Sequence, residues 1–156
     1  MNVLLIGMPG CGKTTVGKCL ADLTQRCFLD TDALIEQKAG KPIPEIFSAF
    51  GEAYFRALET EVLAAVCKES GRVISVGGGV VTVPENRDLI AQNSTVIFLE
   101  RDVTQLSADG RPVSQEKGVE RLYRERLPLY RAWSDHSITN KTPQLAAQEI
   151  REVLHL

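Results

Sequence analysis

The run Gly7-Met8-Pro9-Gly10-Cys11-Gly12-Lys13-Thr14 constrains this chain more than any other stretch. It fits G-x-x-x-x-G-K-[ST], follows the apolar segment Asn2–Ile6, which reads as a buried strand, and opens a helix expected from about Lys13 to Thr24. In that context the glycines let the backbone fold around phosphate groups, while successive N–H groups point inward beside the positive end of a helix. Lys13 can reach β- and γ-phosphates, and the Thr14 hydroxyl can ligate magnesium. A glycine-rich turn without nucleotide is the bland alternative, and the strand-turn-helix context weighs against it.

Short apolar runs and longer amphipathic ones alternate through the rest of the chain. A strand is expected around Cys27–Asp30, a helix near Ala33–Lys38, and a short helical piece over Pro44–Phe50. A long helix follows over Glu52–Ser70, with Phe55, Leu58, Val62 and Val66 on one stripe and Gly71 as its stop. Val73–Val76 reads as the next strand, Glu85–Gln92 as a helix, and Thr95–Leu99 as a nearly continuous apolar strand. Ser107–Gly118, polar with two glycines and a proline, is expected to be a mobile loop. A helix over Val119–Arg126 and a short strand near Ser137–Thr139 come next. The last helix has Thr142 as cap and Pro143 at its first position, with Ala146, Ile150 and Val153 as its buried face. Strands alternating with helices predict an α/β fold, a parallel sheet covered on both sides, with ligands outside the carboxyl ends of the strands.

Length and composition bound the function. The 156 residues suit a single domain, and a net charge of −2 argues against a broad nucleic-acid or membrane-surface footprint. The apolar run Val3–Ile6 is too short to span a bilayer. Cys11, Cys19, Cys27 and Cys67 show no C-x-x-C spacing, so reduced thiols in a cytoplasmic protein are expected.

Four further features carry chemistry. Asp30-Thr31-Asp32 places two carboxylates after the second strand. Phosphoryl transfer needs such groups for the metal and for the acceptor hydroxyl, although an N-cap role for Thr31 or Asp32 competes. Glu52, Arg56 and Glu59 share a helix face, and by spacing alone they read as a solvated, salt-bridged surface. Phe55 beside Arg56 is the one hint of a pocket wall. Gly77-Gly78-Gly79 suits either close approach of a ligand to the backbone or positive φ, with a plain turn as the alternative. Arg111, Arg121, Arg124, Arg126 and Arg131 cluster in and after the expected loop, where Arg111 is placed to fold onto a γ-phosphate. Trp133 reads as packing, and His136 and His155 have no partner pattern.

With these residues in hand, the chain resembles the shikimate kinase family over essentially its whole length. The resemblance rests on G-M-P-G-C-G-K-T-T at 7–15, F-L-D-T-D at 28–32, and the I-F-x-x-x-G-E-x-x-F-R-x-x-E run from Ile46 to Glu59. V-G-G-G at 76–79, R-P at 111–112 and R-L-P-L-Y at 126–130 complete it. It implies a P-loop NTPase-type three-layer sandwich with a five-stranded parallel sheet and a lid at about 107–118. The implied activity is transfer of the γ-phosphate of MgATP to the 3-hydroxyl of shikimate in aromatic amino-acid biosynthesis; a monomer is expected from a small domain without an evident exposed apolar stripe. Gly10, Cys11, Gly12, Lys13, Thr14 and Thr15 would then hold ATP, with Thr14 and Asp30 at Mg2+ and Arg111 coming from the lid. Asp32 would bind ring hydroxyls and act as base, Arg56, Arg126 and Gly78 would hold the acceptor, Glu59 would fix Arg56, and Phe47 and Phe55 would wall the pocket. Thr139–Pro143 would border the adenine.

The chain departs from the family around the lid. Val103–Gly110 lacks the additional arginine that many members place beside the adenine, and Pro112 is followed by Val113-Ser114 instead of the usual apolar pair. A gluconate kinase or a non-catalytic nucleotide switch would share the phosphate loop. The D-T-D, F-R-x-x-E and G-G-G set argues against the first, and the intact Lys13, Thr14, Asp30, Asp32 and Arg111 against the second.

Overall fold

A computed structural model describes residues 1–107 and 113–156 of the chain. Five strands form one parallel sheet: β1 (Asn2–Ile6), β2 (Cys27–Asp30), β3 (Arg72–Ser75), β4 (Ser94–Glu100) and β5 (His136–Thr139). Their spatial order is β2-β3-β1-β4-β5, so the chain leaves central β1 toward one edge and later returns to build the other. β1 pairs with β3 through Leu4 and Ile74 and with β4 through Leu4 and Val96. All five of its residues are buried, as a strand covered on both faces requires. The reversal of strand order places a crevice at the carboxyl end of β1, where such sheets bind ligands.

The helices are α1 (Lys13–Thr24), α2 (Thr31–Ala39), α3 (Ile43–Phe50), α4 (Glu52–Val66), α5 (Glu85–Ala91), α6 (Val103–Ser107), α7 (Val113–Trp133) and α8 (Pro143–Val153). The α4 stripe is buried as its spacing predicts, with Phe55, Leu58, Val62 and Val66 all inside. Thr142 caps α8 by accepting from Leu145 N at 3.2 Å. Ala146 and Ile150 face the core, but Val153, expected beside them, is 38% exposed at the last residue of α8. No helix among the described residues is long and apolar enough to cross a membrane.

Three expectations need correction. α4 ends at Val66, short of Ser70, since Glu69-Ser70-Gly71 turns the chain into β3. β2 stops at Asp30 as expected, but the cap of α2 is Asp30 itself and not Thr31 or Asp32: its side chain accepts from Asp32 N at 3.0 Å. The two aspartates therefore meet at a strand-helix junction. Of the expected loop, residues 108–112, with Arg111, lie outside the described residues, and helix begins at Val113. Glu116 and Lys117, good helix formers, precede Gly118. α7 also runs past Arg126 and through Pro128. That proline removes one helical donor, and burial of Tyr130 with partial burial of Leu127, Leu129 and Trp133 compensates.

Candidate active site

The phosphate loop joins β1 to α1. Gly10 and Gly12 take φ of 83° and 96°, left-handed values that favour glycine. Gly12 has a second constraint, because a side chain there would collide with the amide of Asn140. Lys13 is buried, and its Nζ donates to Gly7 O at 2.7 Å and Met8 O at 3.0 Å, so the ammonium rests on the carbonyls of its own loop. Asn140 Nδ2 donates to Cys11 O at 2.8 Å, and Arg101 Nη1 donates to Gly10 O at 2.7 Å. The ends of β5 and β4 thus brace the loop from outside. Asn140 falls in the Thr139–Pro143 segment that the resemblance set beside the adenine, whereas Arg101 was given no site role, and no spacing signals the contact of either with the loop.

Across the crevice stands the β2–α2 junction. Thr14 Oγ1 donates to Asp30 Oδ2 at 3.4 Å, bringing together the hydroxyl and the carboxylate expected at a metal. Among the described residues no three His, Cys, Asp or Glu side chains group as a metal cage. A cavity of about 340 Å³ opens here, lined by Lys13, Thr14, Asp30, Asp32, Gly77 and Gly78 among others. That volume falls at the low end of small-ligand pockets.

The Gly77-Gly78-Gly79 turn follows β3, and none of the three has positive φ. Close approach is instead what excludes side chains. A Cβ built on Gly77 would lie 2.9 Å from Glu59 Oε2 and 3.0 Å from Asp32 Oδ1. One on Gly78 would meet Pro9 Cδ at 2.7 Å and Arg126 Nη1 at 3.2 Å, and one on Gly79 would run into the Arg56 guanidinium. Arg56 Nη1 pairs with Glu59 Oε1 at 3.0 Å and Nε faces Glu52 at 3.6 Å, with Arg56 Cζ 5.2 Å from the Phe55 ring. Phe47 and Phe55 stand 4.7 Å apart. Glu59 is 1% exposed, so the pair that spacing alone assigned to the surface is internal.

Burial governs the electrostatics. It pushes the Asp32 carboxyl above the ordinary carboxylate range, with Asp30 adding to the rise while Lys13 and Arg56 oppose it. Burial also raises Glu59, against the pull of Arg56. Asp32 Oδ1, Glu59 Oε2 and Arg56 Nε are buried and make no hydrogen bond among the described residues. Buried polar atoms are nearly always paired, and of these three only Arg56 Nε has an ion-pair partner, so the two carboxylate oxygens beside the glycine turn mark a place for a polar ligand. Tyr130, the last residue of R-L-P-L-Y, adds a contact that the motif alone did not reveal: its hydroxyl donates to Gly78 O at 2.6 Å.

A phosphate loop at the switch point of a parallel sheet, facing carboxylates and arginines across a small cavity, defines a P-loop kinase acting on a small molecule. The family model for shikimate kinase matches residues 9–155. A shikimate kinase of Nitrosomonas europaea is 39% identical, covering 98% of this chain and 76% of its own. That of Clostridium beijerinckii is also 39% identical, over 98% of this chain and 94% of its own. Among solved structures, the Acinetobacter baumannii shikimate kinase in complex with shikimate superposes with a TM-score of 0.92 at 34% identity, covering 99% of this chain and 93% of that one. The chain belongs to the shikimate kinase family.

Proposed function

We propose that residues 1–156 form one catalytic domain that transfers the γ-phosphate of ATP to the 3-hydroxyl of shikimate, giving shikimate 3-phosphate and ADP. The observation that carries this reading is the pair of buried carboxylate oxygens without a hydrogen bond, Asp32 Oδ1 and Glu59 Oε2, which face Gly77 beside the Arg56 guanidinium. Shikimate is a small anion with several hydroxyls, so it asks for guanidinium at one end and carboxylate at the other.

In this reading the loop from Gly10 to Thr15 cradles the triphosphate through backbone N–H groups. Lys13 leaves its bonds to Gly7 O and Met8 O and turns to the β- and γ-phosphates. Arg56 and Arg126 hold the acceptor carboxylate, Gly78 offers backbone contact, and Glu59 keeps the Arg56 fork in place. Phe47 and Phe55 form the apolar wall. Asp32 accepts the proton of the 3-hydroxyl as its oxygen bonds to the γ-phosphorus and the bond to the ADP oxygen breaks. Its raised pKa suits a base, since the best catalytic pKa approaches the working pH. Arg111 would neutralise transition-state charge from the lid.

Thr14 and Asp30 fit Mg2+, because the ion takes hard oxygen donors and needs only one or two from protein when phosphates supply others. When bound, it offsets charge on the phosphate oxygens. A monomer in the reducing cytoplasm is the setting we propose, in keeping with four unpaired thiols.

A coupled assay of ADP release with MgATP, with and without shikimate, tests the reading on the wild type, Asp32→Asn and Arg56→Ala. Turnover that needs shikimate and is lost in both variants is the expected result. Turnover with gluconate in place of shikimate would move the chain to another kinase of the same loop, and ATP binding without turnover would make it a switch.

A further inference from the structure

Tyr130 is fully buried although it carries a hydroxyl, and that hydroxyl is held against the glycine turn that borders the site. It donates to Gly78 O at 2.6 Å and touches Met8 Sδ at 3.8 Å. The Tyr130 ring stacks on Phe98 of β4, with centroids 5.1 Å apart. One turn earlier on α7, Arg126 brings its guanidinium to the same glycine turn, its Nη1 3.2 Å from where a Gly78 Cβ would lie, and its charge acts on the phenol. A buried phenol needs a partner, but a carbonyl elsewhere in the core would serve. This one belongs to the glycine turn that the acceptor is read to touch.

We infer that Tyr130 is a positioning residue for the acceptor: its hydroxyl pins the Gly78 carbonyl and the Arg126 guanidinium in one fixed relation, so that backbone and cation meet the acceptor carboxylate together. The inference rests on the shikimate kinase reading above. The stack on Phe98 fixes the ring to the central sheet, and the i, i+4 spacing of Arg126 and Tyr130 puts both on one face of α7. With its pKa pushed up to about 12 by burial, the phenol keeps its proton throughout the working range and remains a donor to Gly78 O.

Tyr130→Phe tests this, since it retains the ring and deletes only the hydroxyl. Steady-state rates with MgATP and shikimate should show KM for shikimate raised roughly tenfold, kcat changed less, and KM for ATP unmoved. In an Arg126→Ala background the same substitution should add little, because the hydroxyl acts through that arginine. An unchanged shikimate KM, equal shifts in both KM values, or full additivity with Arg126→Ala would each overturn the inference. A wild type that ignores shikimate would instead overturn the reading beneath it, and so the two failures are distinct. Should Tyr130→Phe not fold, Arg126→Ala and Arg126→Lys compared for shikimate KM decide the matter. Rescue by lysine, which cannot present the guanidinium fork, would sink the fixed geometry.

Discussion

The Arg56 guanidinium occupies the space that a side chain on Gly79 would need: a Cβ there would fall 2.6 Å from Arg56 Cζ and 2.5 Å from Nη1. Since φ of Gly79 is −94°, an L-residue meets no backbone strain and only the steric conflict remains. Gly79→Ala should therefore displace Arg56 while leaving β3 and the phosphate loop in place. Misplacement by about 1 Å costs on the order of 10²-fold in rate, so kcat/KM for shikimate should fall by about that factor while KM for ATP holds. A variant with unaltered kcat/KM would show that Arg56 is free to move and that its seat on Gly79 is incidental.

Arg56 and Glu59 should respond unequally to substitution. Glu59 is 1% exposed and the Arg56 side chain 17%, so removing the arginine strands a buried carboxylate. Breaking such a pair from one side costs about 3 kcal/mol. Arg56→Ala should be destabilised at neutral pH, and the deficit should shrink as pH falls, because Glu59, already raised by burial, escapes by taking a proton. Glu59→Gln keeps an acceptor for Nη1 and should be milder in both stability and shikimate KM. Melting temperatures of both variants at several pH values check the order, and a larger loss in Glu59→Gln would reverse the argument.

Gly17 offers a test remote from the acceptor. Its Cα faces the Phe28 ring, where a Cβ would come within 2.5 Å of Cε1, with Leu5 Cδ1 at 3.5 Å. Alanine gains about 1 kcal/mol of helix propensity over glycine, yet overpacking costs about 1–3 kcal/mol. Gly17→Ala should come out destabilised by about 1 kcal/mol, and Phe28→Leu should relieve it. Urea midpoints of the two single variants and the double variant measure this coupling. Strict additivity would mean that the ring yields without cost.

Much of this was legible in the chain itself, for local reasons. β1, α1 and the loop between them follow from an apolar run, three glycines at positive φ and a lysine, all within one stretch. The α4 stripe is likewise a matter of period. What spacing could not carry is tertiary. Arg56 and Glu59 look the same on an exposed helix and on one packed against a glycine turn; only the family resemblance separated the two. Asn140 and Arg101 reach the phosphate loop across 129 and 91 residues, which no local pattern encodes. Pro128 reads as a helix end until the burial of Tyr130 two residues later is known. The glycine triplet left positive φ, close approach of a ligand and a plain turn open; the observed φ values exclude the first, and what crowds the turn is the protein's own Asp32, Glu59, Arg126 and Arg56 side chains.

Asp32 should show opposite signs in stability and activity. Its folded pKa lies above the ordinary 3.8, chiefly through burial and then through Asp30. The folded state therefore holds the proton more tightly than the unfolded chain, and between the two pKa values stability declines as pH rises. Above the folded pKa the full penalty of an ionised buried carboxylate remains. Asp32→Asn removes that penalty, so the variant should melt higher than wild type at neutral pH, with its advantage fading as pH drops toward 3.8. Activity runs the other way, because only the ionised form accepts the proton of the hydroxyl. The wild-type kcat/KM should fall on the acid side through a pKa above the ordinary carboxylate value, and kcat of Asp32→Asn should be lower by roughly 10²- to 10⁴-fold with that limb absent. Melting and rate profiles taken over the same pH series test both halves. An asparagine variant that is less stable at pH 7 would overturn the burial penalty, and one that keeps the acid limb would remove Asp32 from the role of base.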